Sequence, residues 1–235
     1  MNAYIKHVNE LEQRLGEVEG LHQAVGGDFH AVGKLEYYLL RSFGLTAGQL
    51  LVDVGCGSGR LAYQVAPDPR IRYIGTDVVP QLLDFAKRLV SRDDWHFVLV
   101  TDTEIPCADG TADFITFFSV LTHTTHEQSF KYLREASRCL KADGRVIVSF
   151  LEFRNVYHWE TFIASVNADP GGPLNQFMDR DAITAWASHS GLTVESFFSG
   201  DENHIPLPEE ICWENGIRMK TFGHLGQSLA VLRKA

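Results

Sequence analysis

The sequence predicts an α/β fold: a doubly wound, mostly parallel seven-stranded sheet with an antiparallel last strand and a helical N-terminal cap. Three observations predict it. Apolar strand-like runs alternate with amphipathic helical patterns, which is typical of a parallel sheet. Glycines follow the first strand-like run at every second position, and no helical pattern separates the last two runs. The 235 residues, 45% of them hydrophobic, suffice for one such domain with a cap.

The predicted elements follow in chain order. The cap covers residues 1–46, where Gly26-Gly27 separates a first helical pattern from a second one over Ala31–Phe43. Residues 47–235 form the main domain, with strands predicted at Leu50–Val54, Tyr73–Thr76, His96–Val100, Phe114–Ser119, Arg145–Phe150, Thr193–Phe198 and Ser228–Leu232. The clearest helices between the strands are predicted at Pro80–Ser91, Glu127–Leu140 and Asp181–Ser190.

Two stretches of the main domain are irregular. Residues 154–178 contain the run Asp169–Pro173, and residues 199–221 contain the run His204–Pro208, both rich in proline or glycine. Such residues mark loops. We expect these stretches to act as lids that recognise a substrate together with the N-terminal helices, since long loops in compact domains often carry function. Surface insertions without a function are the alternative.

Composition excludes several classes of protein. A net charge of −9 opposes binding to nucleic acid, whose phosphates require clustered Lys and Arg. The sequence has no apolar stretch near 18 residues and no signal-peptide pattern, which predicts a cytoplasmic protein without a membrane partner. The four cysteines are scattered without a Cys-x-x-Cys pair, so we expect reduced thiols and no metal.

The most informative segment is Leu51–Arg60, in which Asp53 is followed by Gly55, Gly57 and Gly59. This spacing predicts a strand, a tight glycine loop that closely approaches a nucleotide, and the start of a helix. The dinucleotide fingerprint would need its third glycine at position 60, where the chain has Arg60. An acid beside the loop also suits a cationic ligand better than a pyrophosphate.

These residues resemble the first motif, acid-x-Gly-x-Gly-x-Gly, of the class I S-adenosylmethionine-dependent methyltransferases. The resemblance covers about residues 26–151 and implies S-adenosyl-L-methionine as the cofactor. Asp77 ends the second predicted strand, 18 residues after Gly59, where a carboxylate can bind both ribose hydroxyls. Cofactor-binding residues are further expected at Asp53, Gly55, Cys56, Gly57, Gly59, Val78, Asp102, Thr103, Phe118 and Ser119.

Some of these assignments depend on the resemblance. It implies that Asp102 contacts the adenine amino group, although capping a helix is a competing role. It also implies that the backbone around Phe118 and Ser119 contacts the methionyl part of the cofactor. Cys56 is expected as a small side chain tolerated in the loop rather than as a nucleophile. Together Asp53, Asp77 and Asp102 would end three adjacent strands and form an acidic cradle for a cationic cofactor.

His123 is the candidate catalytic base, because it directly follows the fourth predicted strand and an imidazole suits proton transfer at neutral pH. The alternative is that it shapes the pocket or caps the next helix. His126, three residues further, finds no third ligand at metal-binding spacing. Residues that could contact a substrate from the lids, or serve only as aromatic core or surface, are Tyr157, His158, Trp159 and His204.

The sequence thus predicts an S-adenosylmethionine-dependent methyltransferase that transfers a methyl group to oxygen or nitrogen of a small molecule, as a monomer or homodimer. An acidic acceptor would need basic residues such as Arg154 or Arg218. Nucleic-acid amino-methyltransferases are disfavoured, because the run from Phe117 to Val120 differs from their Asn/Asp-Pro-Pro-aromatic motif. The alternatives are a non-catalytic cofactor-binding protein and, less favoured, a dinucleotide-dependent oxidoreductase.

Overall fold

The computed structural model describes residues 2–168 and 174–235. The strands are β1 (Leu50–Val54), β2 (Arg72–Asp77), β3 (His96–Leu99), β4 (Ala112–Phe117), β5 (Leu140–Glu152), β6 (Phe177–Met178), β7 (Leu192–Phe198), β8 (Ile205–Pro206), β9 (Ile211–Cys212), β10 (Arg218–Met219), β11 (Phe222–Gly223) and β12 (Ser228–Lys234). The helices are α1 (Asn2–Leu15), α2 (Glu17–Ala24), α3 (Phe29–Ser42), α4 (Arg60–Val65), α5 (Pro80–Val90), α6 (His126–Cys139), α7 (Val156–Val166) and α8 (Arg180–His189).

The central sheet has the strand order β3-β2-β1-β4-β5-β12-β7, and β6 pairs with the end of β5. The pairs from β3 through β5 are parallel, whereas β12 runs antiparallel to both β5 and β7. The predicted fold class is confirmed, including the reversed last strand. The reversal has a simple cause, because no helix crosses the sheet between β7 and β12 to return the chain in the parallel direction.

Helices cover both faces of the sheet, so the strands are buried on two sides. Along β1, Leu51 packs into a core with α3, α4 and α5, whereas Val52 packs into the opposite core with α6 and α8. Successive side chains of a strand point to opposite faces, which explains why β1 is apolar at consecutive positions. All five residues of β1 are buried.

The N-terminal residues form three helices, which pack against two different parts of the domain. Gly16, with φ of 83°, separates α1 from α2 within the first predicted helical pattern. Val8 and Leu11 of α1 pack with Leu82 and Phe85 of α5. In contrast, α3 contributes to the sheet core described above. The boundary at residue 46 stays a prediction.

The segments predicted to be irregular contain more structure than expected. Helix α7 occupies the middle of residues 154–178, and its first N–H groups are capped by the side chain of Asn155, which accepts hydrogen bonds from Tyr157 and His158. The run Asp169–Pro173, whose proline and glycine indicated a loop, lies outside the described residues, which resume at Leu174. Residues 199–221 contain the short strands β8, β9 and β10.

None of the described helices is both long and apolar enough to cross a bilayer.

Candidate active site

A cavity of about 800 Å³ opens where β1, β2 and β4 end, and it contains the glycine loop in its wall. The junction of α2 and α3 and residues Tyr4 and His7 of α1 line its other side. Parallel sheets of this type bind ligands outside the carboxyl ends of their strands. The volume lies at the upper end of the roughly 300–1,000 Å³ typical of small-molecule sites, so it can hold a cofactor and a second molecule together.

The glycine loop has the backbone conformation that its sequence predicts. Gly55, Gly57 and Gly59 have φ angles of 71°, 55° and 86°. A Cβ atom at Gly57 would collide with the side chain of Val25, and one at Gly59 would lie 2.8 Å from Cβ of Ala86, so the last glycine lets α4 and α5 pack closely. Gly55 and Gly57 line the cavity, whereas Gly59 lies outside the cavity lining.

Cys56 lies within this loop and also lines the cavity. Its backbone N–H donates to the carbonyl of Thr76 at 2.8 Å, which ties the loop to the end of β2. Burial raises the pKa of the Cys56 thiol well above its ordinary value. The thiol therefore stays protonated, which fits a small side chain in the loop rather than a nucleophile.

Asp53 lies on β1 and is 3% exposed. Its two carboxylate oxygens accept hydrogen bonds from the hydroxyls of Tyr73, at 2.7 Å, and Thr116, at 2.8 Å. Burial raises the pKa of Asp53 to about 7, although the two hydroxyl donors oppose the shift. A cation in the cavity would favour the ionised form of this carboxylate.

Asp77 ends β2 and fastens the glycine loop. Its Oδ2 accepts the N–H of Gly57 at 3.0 Å, and its Oδ1 accepts the N–H of Val79 at 2.9 Å. Burial raises the pKa of Asp77 to about 6, and the backbone donors oppose the shift. Each oxygen keeps a further lone pair, so the carboxylate can accept two more hydrogen bonds from a ligand.

Asp102 lies at the open rim of the same cavity and is exposed. Its Oδ1 accepts the N–H of Glu104 at 2.9 Å, which stabilises a turn, and no helix follows. The neighbouring Thr103 and, at the end of β2, Val78 also line the cavity. The predicted cofactor residues of the three strand ends therefore meet in one place, and the proposed helix cap does not occur.

A buried ion pair closes the site from the N-terminal side. The guanidinium of Arg60, at the start of α4, donates to Glu36 of α3 with an Nη2 to Oε1 distance of 2.6 Å. Its Nη1 donates to the carbonyls of Val25 and Gly26 at 3.1 and 2.8 Å. Arg60 thus holds the α2–α3 junction over the glycine loop, and each of its three side-chain nitrogens has a protein acceptor.

Comparisons with known proteins agree with this geometry. A family model described as a methyltransferase domain matches residues 52–148. The malonyl-[acyl-carrier protein] O-methyltransferase of Hahella chejuensis is 29% identical over 150 residues, 63% of this chain and 52% of that protein. The demethylmenaquinone methyltransferase of Tropheryma whipplei is 31% identical over 108 residues, 46% of this chain and 44% of that protein.

Residues 52–148 thus match a methyltransferase domain, and the matched segment contains the glycine loop together with Asp53 and Asp77. A solved S-adenosylmethionine-dependent methyltransferase from Thermotoga maritima, described as a possible histamine N-methyltransferase, covers 99% of this chain with a TM-score of 0.63. This chain covers 98% of that structure at 18% identity, which shows a shared fold. The chain spans about half the length of the curated relatives that it matches.

His123, the predicted catalytic base, lies at the cavity wall in a short 3-10 turn after β4. Its Nδ1 donates to the carbonyl of Leu174 at 2.7 Å, and its ring stacks on Tyr4 with centroids 5.8 Å apart. This hydrogen bond fixes the neutral tautomer that carries its proton on Nδ1. Nε2 is then an acceptor, and it has no hydrogen-bond partner among residues 2–168 and 174–235. His123 is exposed at this wall, and partial desolvation by the surrounding protein lowers the pKa of its imidazole.

Phe118 and Ser119 line the cavity just after β4, which lies across β1 from the strand that bears Asp77. The strand β4 ends at Phe117, earlier than predicted, and Ser119 adopts φ of 59°, which is uncommon for a residue with a side chain. Its N–H donates to Ser149 Oγ at 2.7 Å, and its carbonyl accepts the hydroxyl of Thr122 at 2.7 Å. The Ser119 N–H is therefore engaged within the protein, and its hydroxyl is the group that can meet a ligand.

The aromatic residues of the predicted lids differ in whether they face the cavity. Tyr157 of α7 lines the cavity. His158 is 3% exposed, and both ring nitrogens are used, because Nδ1 accepts the N–H of Glu152 and Nε2 donates to the carbonyl of Gly226. Trp159 is 47% exposed, and His204 stacks on Phe198, with both lying away from the cavity wall. His158 is therefore a structural residue.

The basic residues that an acidic acceptor would need are engaged elsewhere. Arg154 pairs with the buried Glu152 at 2.9 Å, and Arg218 pairs with Glu210 at 3.4 Å. Within the described part of the chain, no group of three His, Cys, Asp or Glu side chains has a geometry for a metal ion.

Two features of the site were missed by the sequence analysis. In the sequence analysis, Arg60 was used only to show that position 60 is not a glycine. A charged residue at the start of a helix whose next residues are apolar indicates a buried role for that residue. Glu36 likewise lies within an apolar helical pattern, where an acid needs a partner. Ser149 and Gln227, which contact Ser119, gave no local signal, because polar residues occur throughout strands and loops.

Proposed function

We propose that the cavity binds S-adenosyl-L-methionine and that the protein transfers its methyl group to an oxygen or nitrogen atom of a small molecule. The observation that carries the proposal is the charge of the cavity. Among the described residues lining it, Glu36, Asp53, Asp77 and Asp102 are acidic, whereas Arg60 is the one guanidinium and is already paired. The cofactor carries a sulfonium and an ammonium, which suit carboxylates, whereas a pyrophosphate would meet like charge.

The positions of the acidic residues support a proposed orientation of the cofactor in the cavity. The two free lone pairs of Asp77 suit the vicinal ribose hydroxyls, and Asp102 at the rim suits the adenine amino group. The buried carboxylate of Asp53 supplies negative charge beneath the glycine loop. The methyl group would then face the far wall, where His123 and Ser119 lie.

Methyl transfer depends mainly on holding the acceptor atom in line with the sulfonium carbon, and a base is needed when that atom carries a proton. Nε2 of His123 is the free acceptor that could take this proton. A small-molecule acceptor is supported by the names of two curated relatives, a malonyl-[acyl-carrier protein] O-methyltransferase and a demethylmenaquinone methyltransferase.

Isothermal titration calorimetry tests the cofactor. S-adenosylmethionine and S-adenosylhomocysteine should bind with micromolar affinity, and NAD and NADP, the matched nucleotide controls, should not. Tight binding of a dinucleotide alone would refute the proposal in favour of an oxidoreductase. With the cofactor established, transfer of a labelled methyl group to pooled metabolites tests turnover, and persistent absence of any methylated product would favour a non-catalytic binding protein.

A further inference from the structure

The far wall of the cavity contains a closed set of hydrogen bonds, which we call the serine-glutamine relay, formed by Ser119, Ser149 and Gln227. Ser149 Oγ accepts the N–H of Ser119 and donates its own proton to Gln227 Oε1 at 2.7 Å. Gln227 Nε2 donates to Ser119 Oγ at 3.0 Å. All three residues line the cavity.

The direction of these hydrogen bonds follows from burial. Ser149 is 2% exposed, so its hydroxyl proton needs an acceptor inside the protein, and Gln227 Oε1 supplies it. This orients the amide so that its NH₂ group faces Ser119. The opposite amide orientation would leave the buried Ser149 proton without an acceptor, which is costly.

These hydrogen bonds leave the Ser119 hydroxyl as a hydrogen-bond donor toward the cavity. Its Oγ already accepts from Gln227, and among the described residues no protein acceptor takes its hydroxyl proton. Ser119 is half-buried and faces the cavity, and its backbone is held at φ of 59° by bonds to both its N–H and its carbonyl. A strained residue held this firmly by its surroundings is typical of a ligand site.

The relay carries no charge. Arg154 and Arg180, beside the end of the strand that bears Ser149, both pair with the buried carboxylate of Glu152. The carboxylates of the cavity, Asp53 and Asp77 among them, also disfavour an anion nearby. A ligand group placed against Ser119 would gain a neutral hydrogen bond but no ion pair.

We propose that the serine-glutamine relay is the subsite for the methyl acceptor and that it recognises an uncharged oxygen with a lone pair, such as a carbonyl, amide or ether oxygen, rather than a carboxylate or phosphate. This inference rests on the proposed function. It narrows the acceptor to molecules that present a neutral oxygen close to the atom that receives the methyl group.

Three probes of the same shape test the polarity of the subsite: benzamide, benzoate and benzamidinium. Each is titrated into ¹⁵N-labelled protein, with and without S-adenosylhomocysteine, and binding is followed by backbone amide shifts. Benzamide should bind with shifts at Ser119, Thr122 and Gln227, and benzoate should bind far more weakly. Equal or tighter binding of benzoate, or no binding of benzamide, would overturn the proposal.

Two variants separate recognition from structure. S119A should weaken benzamide binding about 3- to 10-fold, as expected for one neutral hydrogen bond, when both proteins are saturated with S-adenosylhomocysteine. S42A, which removes an exposed hydroxyl outside the cavity lining, is the matched control and should bind benzamide as the wild-type protein does. An unchanged affinity of S119A for benzamide would overturn the assignment.

Q227E tests the direction of the relay. A carboxylate accepts from both serines, so the Ser119 proton would turn away from the cavity and its oxygen would become an acceptor. The variant should therefore prefer benzamidinium to benzamide, and an unaltered preference would contradict the relay. If S-adenosylhomocysteine fails to bind wild-type protein, the proposed function fails, whereas the probe titrations on unliganded protein still report on the subsite.

Discussion

Replacing Asp77 with asparagine perturbs the link between the glycine loop and the cofactor with a minimal change of shape. The carboxylate has roughly four lone-pair sites, of which the protein uses one on each oxygen, for Gly57 and for Val79. Asparagine keeps one oxygen, and its NH₂ group faces an N–H donor. At about pH 8, above the pKa of about 6 that burial gives Asp77, the wild-type residue is ionised.

The magnitude follows from the bonds that are lost. One buried backbone N–H loses its acceptor, which should lower the free energy of unfolding by about 1–3 kcal/mol. One hydrogen bond from a ribose hydroxyl to a charged group is also lost, which is worth about 1.5–3 kcal/mol and corresponds to roughly 10- to 100-fold weaker binding of S-adenosylhomocysteine.

The assay combines calorimetric titration with urea-induced unfolding. Asp113→Asn is the matched control, because Asp113 is also buried and accepts a backbone N–H, from Leu50, but lies outside the cavity lining. It should lower stability and leave cofactor affinity within about twofold. The reasoning about Asp77 is refuted if Asp77→Asn loses stability yet binds S-adenosylhomocysteine as tightly as wild type, since the carboxylate would then serve the loop alone.

Three further predictions concern other parts of the site. His123→Gln should reduce methyl transfer by about 10²- to 10⁴-fold with little change in cofactor affinity, whereas His126→Gln should leave the rate of product formation nearly unchanged. Arg60→Met leaves Glu36 buried without a partner and should lower the free energy of unfolding, measured in urea, by about 3–5 kcal/mol. A loss below about 1 kcal/mol would contradict the buried ion pair. Burial raises the pKa of Asp53 to about 7. Between about pH 4 and 7 the folded protein therefore holds a proton on Asp53 that the unfolded chain has released, so the free energy of unfolding of the unliganded protein should fall as pH rises across this range. Asp53→Asn should flatten this dependence in urea titrations over the same pH range.

Much of the fold could be predicted because its signals are local. The apolar run of β1 and the glycines after it indicate a strand, a turn and a helix start within a few residues. The reversed strand β12 was predicted from the missing helix before it. Helix α7 was missed, since the proline and glycine that follow it suggested a loop for the whole segment.

The candidate site could be predicted only where its residues end strands. Asp53 and Asp77 meet because parallel strands bring their carboxyl ends together, which the strand assignment already implies. The relay joins Ser119 to Gln227 across 108 residues, and its polarity depends on the burial of Ser149. Neither the pairing nor the burial has a sequence pattern, because both arise from the packing of β4, β5 and β12.

A crystal structure of the protein with S-adenosylhomocysteine tests the central claim most directly. We expect the ribose hydroxyls to contact the carboxylate of Asp77 and the sulfur to face the wall that bears Ser119 and His123. A ligand bound elsewhere, or one whose sulfur faces away from that wall, would contradict it.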